Sequence, residues 1–387
     1  VIRRILVALL IAMVAGASRA AAAPPVRFRA PVRYASDAVQ VVLVSDVDGD
    51  GHPDIIASGN QVEQLPAFSF LRNRGDGTFV DARAIATELG QTLQDVGDVN
   101  SDGVPDLIAS HYFANGVTIS RGGGALQFAA PEFYSTATHG GPTRIVDYDG
   151  DGIADLVSLS FGSGNPVRVH RFRGRADGTL SPNITTDAVF ANAASPSMRQ
   201  TDGAVEILAA EHSGHLVLIR VSAAGVSARS IVAGPAMDLA CTFADVNGDG
   251  IADIVDTNDA ESAAEQLFVT LANADGTFGE RRAIDHPRHV NYPVVVRSAD
   301  LDGDGRADLI VSDFRANALY LFRGDGTGRF DEGVAIEAGG PVNTFAIGDV
   351  NGDGRPDIVT ANDDRTLSVI INDGVPRRRR VTRSSSR

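Results

Sequence analysis

Short apolar runs rich in β-branched residues recur along the whole chain, each broken by a polar turn. "VQVVLVS" (39–45), "GPTRIV" (141–146), "VVVRSA" (294–299) and "NTFAIG" (343–348) each lead into an acidic loop. The chain leaves such loops through "DIIAS", "DLIAS", "DLVSL", "DIVDT", "DLIVS" and "DIVTA". Runs this short, bounded by turn residues, predict β-strands rather than helices. A second pair of strands follows in each unit. "FSFLRN", "VRVHRFRG", "QLFVTLAN" and "ALYLFRG" run into "GDGTF" (75–79), "ADGTL" (176–180), "ADGTF" (274–278) and "GDGTG" (324–328). Asp-Gly between apolar runs is a hairpin signal. The predicted unit is therefore four antiparallel strands in about 50 residues, the content of one propeller blade.

The acidic loops fix the number of units. "DVDGDGHPD" (46–54) returns as "DVNSDGVPD" from Asp98, "DYDGDGIAD" from Asp147, "DVNGDGIAD" from Asp245, "DLDGDGRAD" from Asp300 and "DVNGDGRPD" from Asp349. The starts are 52, 49, 98, 55 and 49 residues apart, so the doubled gap calls for a seventh, damaged copy. "MRQTDGAVEIL" from Met198 fills that place: it keeps Asp202, Gly203 and Glu206, but puts Met198 and Gln200 where the first two acids belong. The last unit, ending in "TLSVIINDG", lacks a fourth strand, and "VRFRAPVRYA" (26–35) resembles the fourth-strand segments of other units. We therefore expect an all-β, seven-bladed β-propeller of four-stranded antiparallel blades, the last closed by the N-terminal strand, which removes exposed sheet edges.

Acids at positions 1, 3, 5 and 9 with glycine at 6 turn their oxygens toward one centre, the start of a calcium loop. In the first loop Asp46, Asp48, Asp50 and Asp54 would supply carboxylates and His52 its carbonyl. A helix-flanked EF-hand is disfavoured, because Pro53, Pro105 and Pro356 stand just ahead of strand sequence. A calcium-binding β-helix would repeat far more often.

These D-x-[DN]-x-D-G-x-x-D loops and D-G-T-[FL] turns resemble the FG-GAP, or VCBS-type, repeat family, whose seven-bladed propeller is shared with the amino-terminal domain of integrin α chains. "FG" survives as Phe278 and Gly279, and "GAP"-like tracts as "GGP" (140–142 and 339–341) and "AGP" (233–235). The resemblance covers roughly residues 26–375. It implies that the loops join the first and second strands of a blade and bind Ca2+ on its lower face, giving about six sites. The implied ligands in the later blades are Asp98, Asn100, Asp102 and Asp106 with the Val104 carbonyl, then Asp147, Asp149, Asp151 and Asp155 with that of Ile153. Asp245, Asn247, Asp249 and Asp253 follow with Ile251, Asp300, Asp302, Asp304 and Asp308 with Arg306, and Asp349, Asn351, Asp353 and Asp357 with Arg355. Blade four departs from the pattern, and its site is expected to be empty.

Charge supports this reading. The formal net charge is −15, yet the six loops hold 21 of the 49 acids. Bound divalent ions would offset the negative charge where it is densest, so the acidity points to metal and away from nucleic acid. All 34 basic residues are arginine, which excludes lysine chemistry such as a Schiff base or a P-loop. The single cysteine, Cys241, excludes an intramolecular disulfide framework and reads as a buried structural thiol. Residues 1–23 read as a secretory signal, with Arg3 and Arg4 ahead of an apolar run and small residues at Ala20 to Ala23. The expected organisation is signal peptide 1–23, propeller 24–375 and a basic disordered tail 376–387, with no transmembrane segment.

The expected function is that of a secreted, monomeric, extracellular binding or adhesion module for a glycan or protein ligand. Its contact residues would lie on the face opposite the loops, where aromatic rings neighbour His, Arg and Asn: His111, Tyr112, Phe161, His289, Tyr292, Phe314 and Arg315. The alternative is a propeller-type polysaccharide lyase or hydrolase using Tyr292, His289, His111 and Arg315, although no motif joins these residues. His212 and His215 read as hairpin residues rather than a zinc pair. Two Arg-Gly-Asp triplets, Arg74 to Asp76 and Arg323 to Asp325, fall inside the G-D-G-T turns and read as products of turn chemistry.

Overall fold

The computed structural model describes residues 26–375 except 60–67, 81–82, 86–90, 112–113, 137–138, 163–164, 187–189, 192, 212–214, 234–237, 259–266, 285–289, 291–292 and 314–315. The expected signal segment and basic tail lie outside the described residues.

Seven four-stranded antiparallel sheets follow one another along the chain, each ordered from an inner first strand to an outer fourth. Blade 1 runs Val41–Ser45, Asp54–Ser58, Phe68–Leu71, Arg83–Ile85, and blade 2 runs Gln91–Gly97, Asp106–His111, Gly116–Ser120, Glu132–Ser135. Blade 3 is Gly140–Val146, Asp155–Gly162, Asn165–Phe172 and Ile184–Thr185, with Phe190–Ala191 added beside its third strand. Blade 4 is Ala193–Thr201, Ala204–Glu211, His215–Ser222 and Gly225–Ala233. Blades 5 and 6 start at Asp238–Ala244 and Pro293–Ala299 and end at Phe278–Ala283 and Val334–Ile336.

Blade 7 closes the ring as the sequence predicts. Its strands Val342–Gly348, Asp357–Asn362 and Thr366–Ile370 receive Val32–Ala35 from the other end of the chain, with Val32 opposite Val369 and Tyr34 opposite Leu367. The Tyr34 ring meets Phe79 of blade 1 edge-on at 5.8 Å, and its hydroxyl accepts from the Phe79 amide. The closing strand thus touches two blades. "VRFRAPVRYA" is not one strand, however. Arg27–Phe28 pairs separately with Asn372–Gly374, and Arg29 adds an ion pair to Asp373 at 2.8 Å.

The burial pattern explains the strand sequences. Second strands such as Asp54–Ser58 and Asp308–Asp313 are buried at every position, because a neighbouring blade covers each face, so they read as continuous apolar runs. Outer strands such as Glu132–Ser135 are mostly exposed. Every seam between blades has its own apolar cluster. Val42, Ile55 and Leu71 meet Val359 and Val369 across the seam of blades 7 and 1, for example, and Leu208 meets Cys241 and Ile254 across that of blades 4 and 5. Cys241 is buried, as expected, and its thiol lies 3.5 Å from the Leu208 carbonyl. A fully buried Ile or Leu contributes about 1.5–3 kcal/mol, so the seams, rather than any single blade, hold the ring together.

Candidate metal centres

Each acidic loop is wound by its own aspartates before any ion is considered. In all six, the first-position Asp accepts the amide of position 5 at 3.1–3.2 Å through Oδ1. Its Oδ2 accepts the amide of the position-6 glycine at 2.7–2.9 Å. The turn needs left-handed backbone at positions 4 and 6, which Gly49 and Gly51 supply at φ 78° and 88°. Blade 2 has Ser101 at position 4 instead, at φ 62°.

The ninth-position acids Asp54, Asp106, Asp155, Asp253, Asp308 and Asp357 are fully buried. Each uses Oδ2 to accept the amide of the loop's second residue at 3.0–3.1 Å. Oδ1 accepts an amide at the end of the third strand or just past it at 2.7–2.9 Å. These carboxylates therefore bracket the first hairpin to the third strand, a role that ligand spacing alone did not reveal. Neighbouring blades are tied at the same level: Asn73 donates to the Val350 carbonyl at 2.7 Å, and Asn372 to that of Leu301 at 2.8 Å.

Position 3 divides the loops into two kinds. Where it is asparagine, its amide donates to the position-5 carboxylate: Asn100 to Asp102 at 2.9 Å, Asn247 to Asp249 at 3.0 Å and Asn351 to Asp353 at 3.1 Å. Where it is aspartate, the two carboxylates repel and need a cation. In blades 1 and 3 an arginine beyond the third strand helps. Arg72 pairs with Asp48 and, at 2.8 Å, with Asp50, while Arg173 pairs with Asp149 at 2.7 Å and Asp151 at 2.8 Å. The Ile153 amide and then Arg173 hold Asp151 below the usual carboxylate range. In blade 6 the corresponding Arg323 bonds Asp331 at 2.8 Å, and Asp302 is pushed up by burial and then by Asp304.

These donors fit a hard divalent cation. Oxygens about 2.4 Å from one ion lie at most about 4.8 Å apart. Ligand atoms of Asp46, Asp48 and Asp50, of Asp147, Asp149 and Asp155, and of Asp300, Asp302 and Asp304 all meet that limit within their groups. With a cation bound, the first-, third-, fifth- and ninth-position side chains and the seventh-position carbonyl would hold it, and it would supply the positive charge these loops lack. Blade 4 is built differently. Met198 pairs with Ile207 and Thr201 with Ala204, so the segment is a hairpin turning at Asp202 and Gly203. Glu206 accepts Arg199 Nε at 2.9 Å, and Gln200 reaches the Asp147 amide of blade 3.

Of the residues expected on the opposite face, Tyr112, His289, Tyr292, Phe314 and Arg315 lie outside the described residues, as does His212. Phe161 falls in the second strand of blade 3, and His111 is buried at the end of that of blade 2, where Nδ1 accepts the Ala114 amide at 3.1 Å. His215 opens a strand of blade 4. In the Arg-Gly-Asp segments, Asp76 and Asp325 each bind the Thr two residues on through its amide and, at 2.6 Å, its hydroxyl. Asp177 and Asp275 make the same contacts where no such triplet exists, so turn chemistry accounts for both.

A pH dependence follows from the ninth-position acids. Burial, outweighing the two amides, pushes Asp54, Asp155, Asp308 and Asp357 up to about 6. A carboxyl whose pKa is higher when folded binds more protons in the folded state, so between about pH 6 and pH 4 these groups stabilise the fold as pH falls. His170 opposes them, since burial lowers it to about 4, but it is one group against four. In chelator, the urea midpoint is expected to be higher at about pH 5 than at about pH 7.5. Millimolar calcium should shrink the difference, because the ion competes with the protons. A chelated protein less stable at the lower pH would refute this.

The family model described as an FG-GAP-like repeat matches residues 46–109, 98–158 and 300–360. No curated protein sequence matches the chain. Among solved structures it is similar to BBS1N in complex with ARL6DN, at TM-score 0.61 and 12% identity over 90% of this chain and 97% of that one. It is also similar to a catalytically inactive virginiamycin B lyase from Staphylococcus aureus with quinupristin, at TM-score 0.55 and 12% identity over 89% and 98%. Identities this low speak for the fold alone. The repeated acidic loops, the D-G-T turns and the closed ring make the chain a seven-bladed β-propeller that carries FG-GAP-like repeats at residues 46–158 and 300–360.

Proposed function

We propose that the protein is a secreted, calcium-stabilised binding module that takes an extracellular glycan or protein ligand on the face opposite the acidic loops. The observation that carries this reading is the common place of the six loops, each between the first and second strands of its blade. On this reading the end of the ring that carries the loops serves ion-dependent scaffolding and the opposite end serves recognition. Calcium would occupy the six intact loops and not blade 4. Affinities of about 10⁻⁴–10⁻³ M suit such a role outside the cell. No helix among the described residues is long and apolar enough to cross a membrane.

The enzymatic alternative, a polysaccharide lyase or hydrolase, would draw on Tyr292, His289, His111 and Arg315, of which His111 is buried with Nδ1 already engaged. The test is a glycan and protein array read with calcium and with chelator, alongside incubation with acidic polysaccharides monitored for unsaturated product. Saturable, calcium-dependent capture without product supports the module. Product formation would replace it with the lyase.

A further inference from the structure

An arginine stands just past the third strand in each blade whose loop carries aspartate at position 3. The residue whose amide the ninth acid holds is Asn73, Gly174 and Gly324 in blades 1, 3 and 6, and the residue before it is Arg72, Arg173 and Arg323. Blades 5 and 7, with asparagine at position 3, have Leu271 and Ile371 there. Blade 2 has an arginine too, but its position-3 residue is Asn100, which bonds Asp102 itself, and Arg121 goes to Asp106 at 3.2 Å and the Gly178 carbonyl at 2.9 Å.

In blades 1 and 3 this arginine takes the carboxylate oxygens that the loop leaves open. Asp48 Oδ1 already accepts the Asp50 amide at 3.2 Å, and Asp50 Oδ1 the His52 amide at 3.0 Å. Arg72 holds both Oδ2 atoms, that of Asp48 through Nε at 2.5 Å and that of Asp50 through a terminal nitrogen at 2.8 Å. Arg173 repeats the fork on Asp149 and Asp151 Oδ2 at 2.7 and 2.8 Å. Blade 6 differs by one residue. The position whose amide bonds back to the arginine carbonyl is Val80 in blade 1, Ser181 in blade 3 and Asp331 in blade 6. Ser181 Oγ and Asp331 Oδ1 accept the amide of their arginine at 2.8 and 2.9 Å, but Asp331 also holds the Arg323 guanidinium, through Nε at 2.8 Å. Among the described residues Asp302 then has no ion pair, and Asp304 has one to Arg306 at 3.5 Å.

We infer that Arg72 and Arg173 are tethered counter-ions that compete with calcium for the loops of blades 1 and 3, and that Asp331 withdraws Arg323 from the same task, so that the blade 6 loop takes the ion more tightly than either. The inference rests on the calcium reading of the loops. A guanidinium that stays beside the carboxylates repels the incoming ion, and one that leaves gives up two ion pairs, so affinity falls either way. In exchange the loops of blades 1 and 3 keep a positive charge of their own when calcium is scarce.

The test uses the blade 3 loop, because Tyr148 is its second residue and sensitises the emission of terbium, an oxygen-seeking substitute for calcium. The full protein is titrated with terbium under tyrosine excitation, and calcium is then added to displace it. Arg173→Gln should lower the terbium half-saturation about tenfold, as loss of two exposed ion pairs and one repulsion implies. Ser181→Asp, which copies blade 6, should lower it by a similar factor. Added to Arg173→Gln it should change the value no more than about twofold, since both act through one side chain. In calorimetric unfolding, Arg173→Gln should melt below wild type in chelator and gain more than wild type from millimolar calcium. Terbium affinity unchanged or weakened in Arg173→Gln, with wild-type binding intact, overturns the inference and makes the arginine an organiser of the ligands. A Ser181→Asp effect that persists in full on the Arg173→Gln background also overturns it, since the added charge alone would then suffice. A wild type without a saturable, calcium-displaceable signal would remove the calcium reading itself, and the inference with it.

Discussion

Adding millimolar calcium to chelated protein is expected to raise the melting temperature by about 10 °C. An ion that binds only the folded state adds RT ln(1 + [L]/Kd), about 1.4 kcal/mol per loop at tenfold excess over Kd. The three loops with aspartate at position 3 would then contribute about 4 kcal/mol, and all six loops about 8 kcal/mol. For a chain of this size each kcal/mol moves the midpoint by roughly 1–2 °C, an extension of the trend in smaller domains. The gain comes from two sources. Paired carboxylates such as Asp302 and Asp304 stop repelling, and the first hairpin of each blade is clamped. Magnesium should do less, because its small octahedral shell tolerates an irregular set of loop oxygens poorly. Scanning calorimetry in chelator, calcium and magnesium provides the measurement. Midpoints that coincide in calcium and chelator would sink the metal assignment, and a gain of about half the full value would point to the three aspartate loops alone.

Most of the architecture was legible in the sequence because it is written seven times. A strand of five apolar residues is ambiguous alone, but the recurrence of Asp-x-[Asp/Asn]-x-Asp-Gly every 50 residues or so fixes its phase, and the missing fourth strand after Thr366 points to Val32–Ala35. What escaped needs the closed ring. The inner strands carry register shifts, for example between Leu93 and Asp95, where no glycine or proline announces the break. The fourth loop shows how far the erosion goes. Asp202, Gly203 and Glu206 stay in phase, but without acids at the first and third positions nothing wraps the backbone, and the strands pair through to a tight turn.

The ninth-position acids show the same limit and give the sharpest mutational contrast. Spacing marks Asp308 as one ligand among several, yet its two oxygens accept the buried amides of Leu301 and Gly324 at 3.0 and 2.9 Å. Asp308→Ala leaves both donors without a partner, and a bond to a charged acceptor counts for about 1.5–3 kcal/mol. A loss of about 3–6 kcal/mol is therefore expected even in chelator. Asp302→Asn should behave oppositely. Three blades already carry asparagine at that position with an internal bond to the fifth, and the change removes a repulsion, so stability in chelator should hold or rise slightly while the calcium increment shrinks. Urea unfolding of both variants, with and without calcium, separates the two roles. If Asp308→Ala costs less than about 1 kcal/mol in chelator, or matches Asp302→Asn in both conditions, the ninth acid is only a ligand and the bracket between hairpin and third strand carries no weight in the fold.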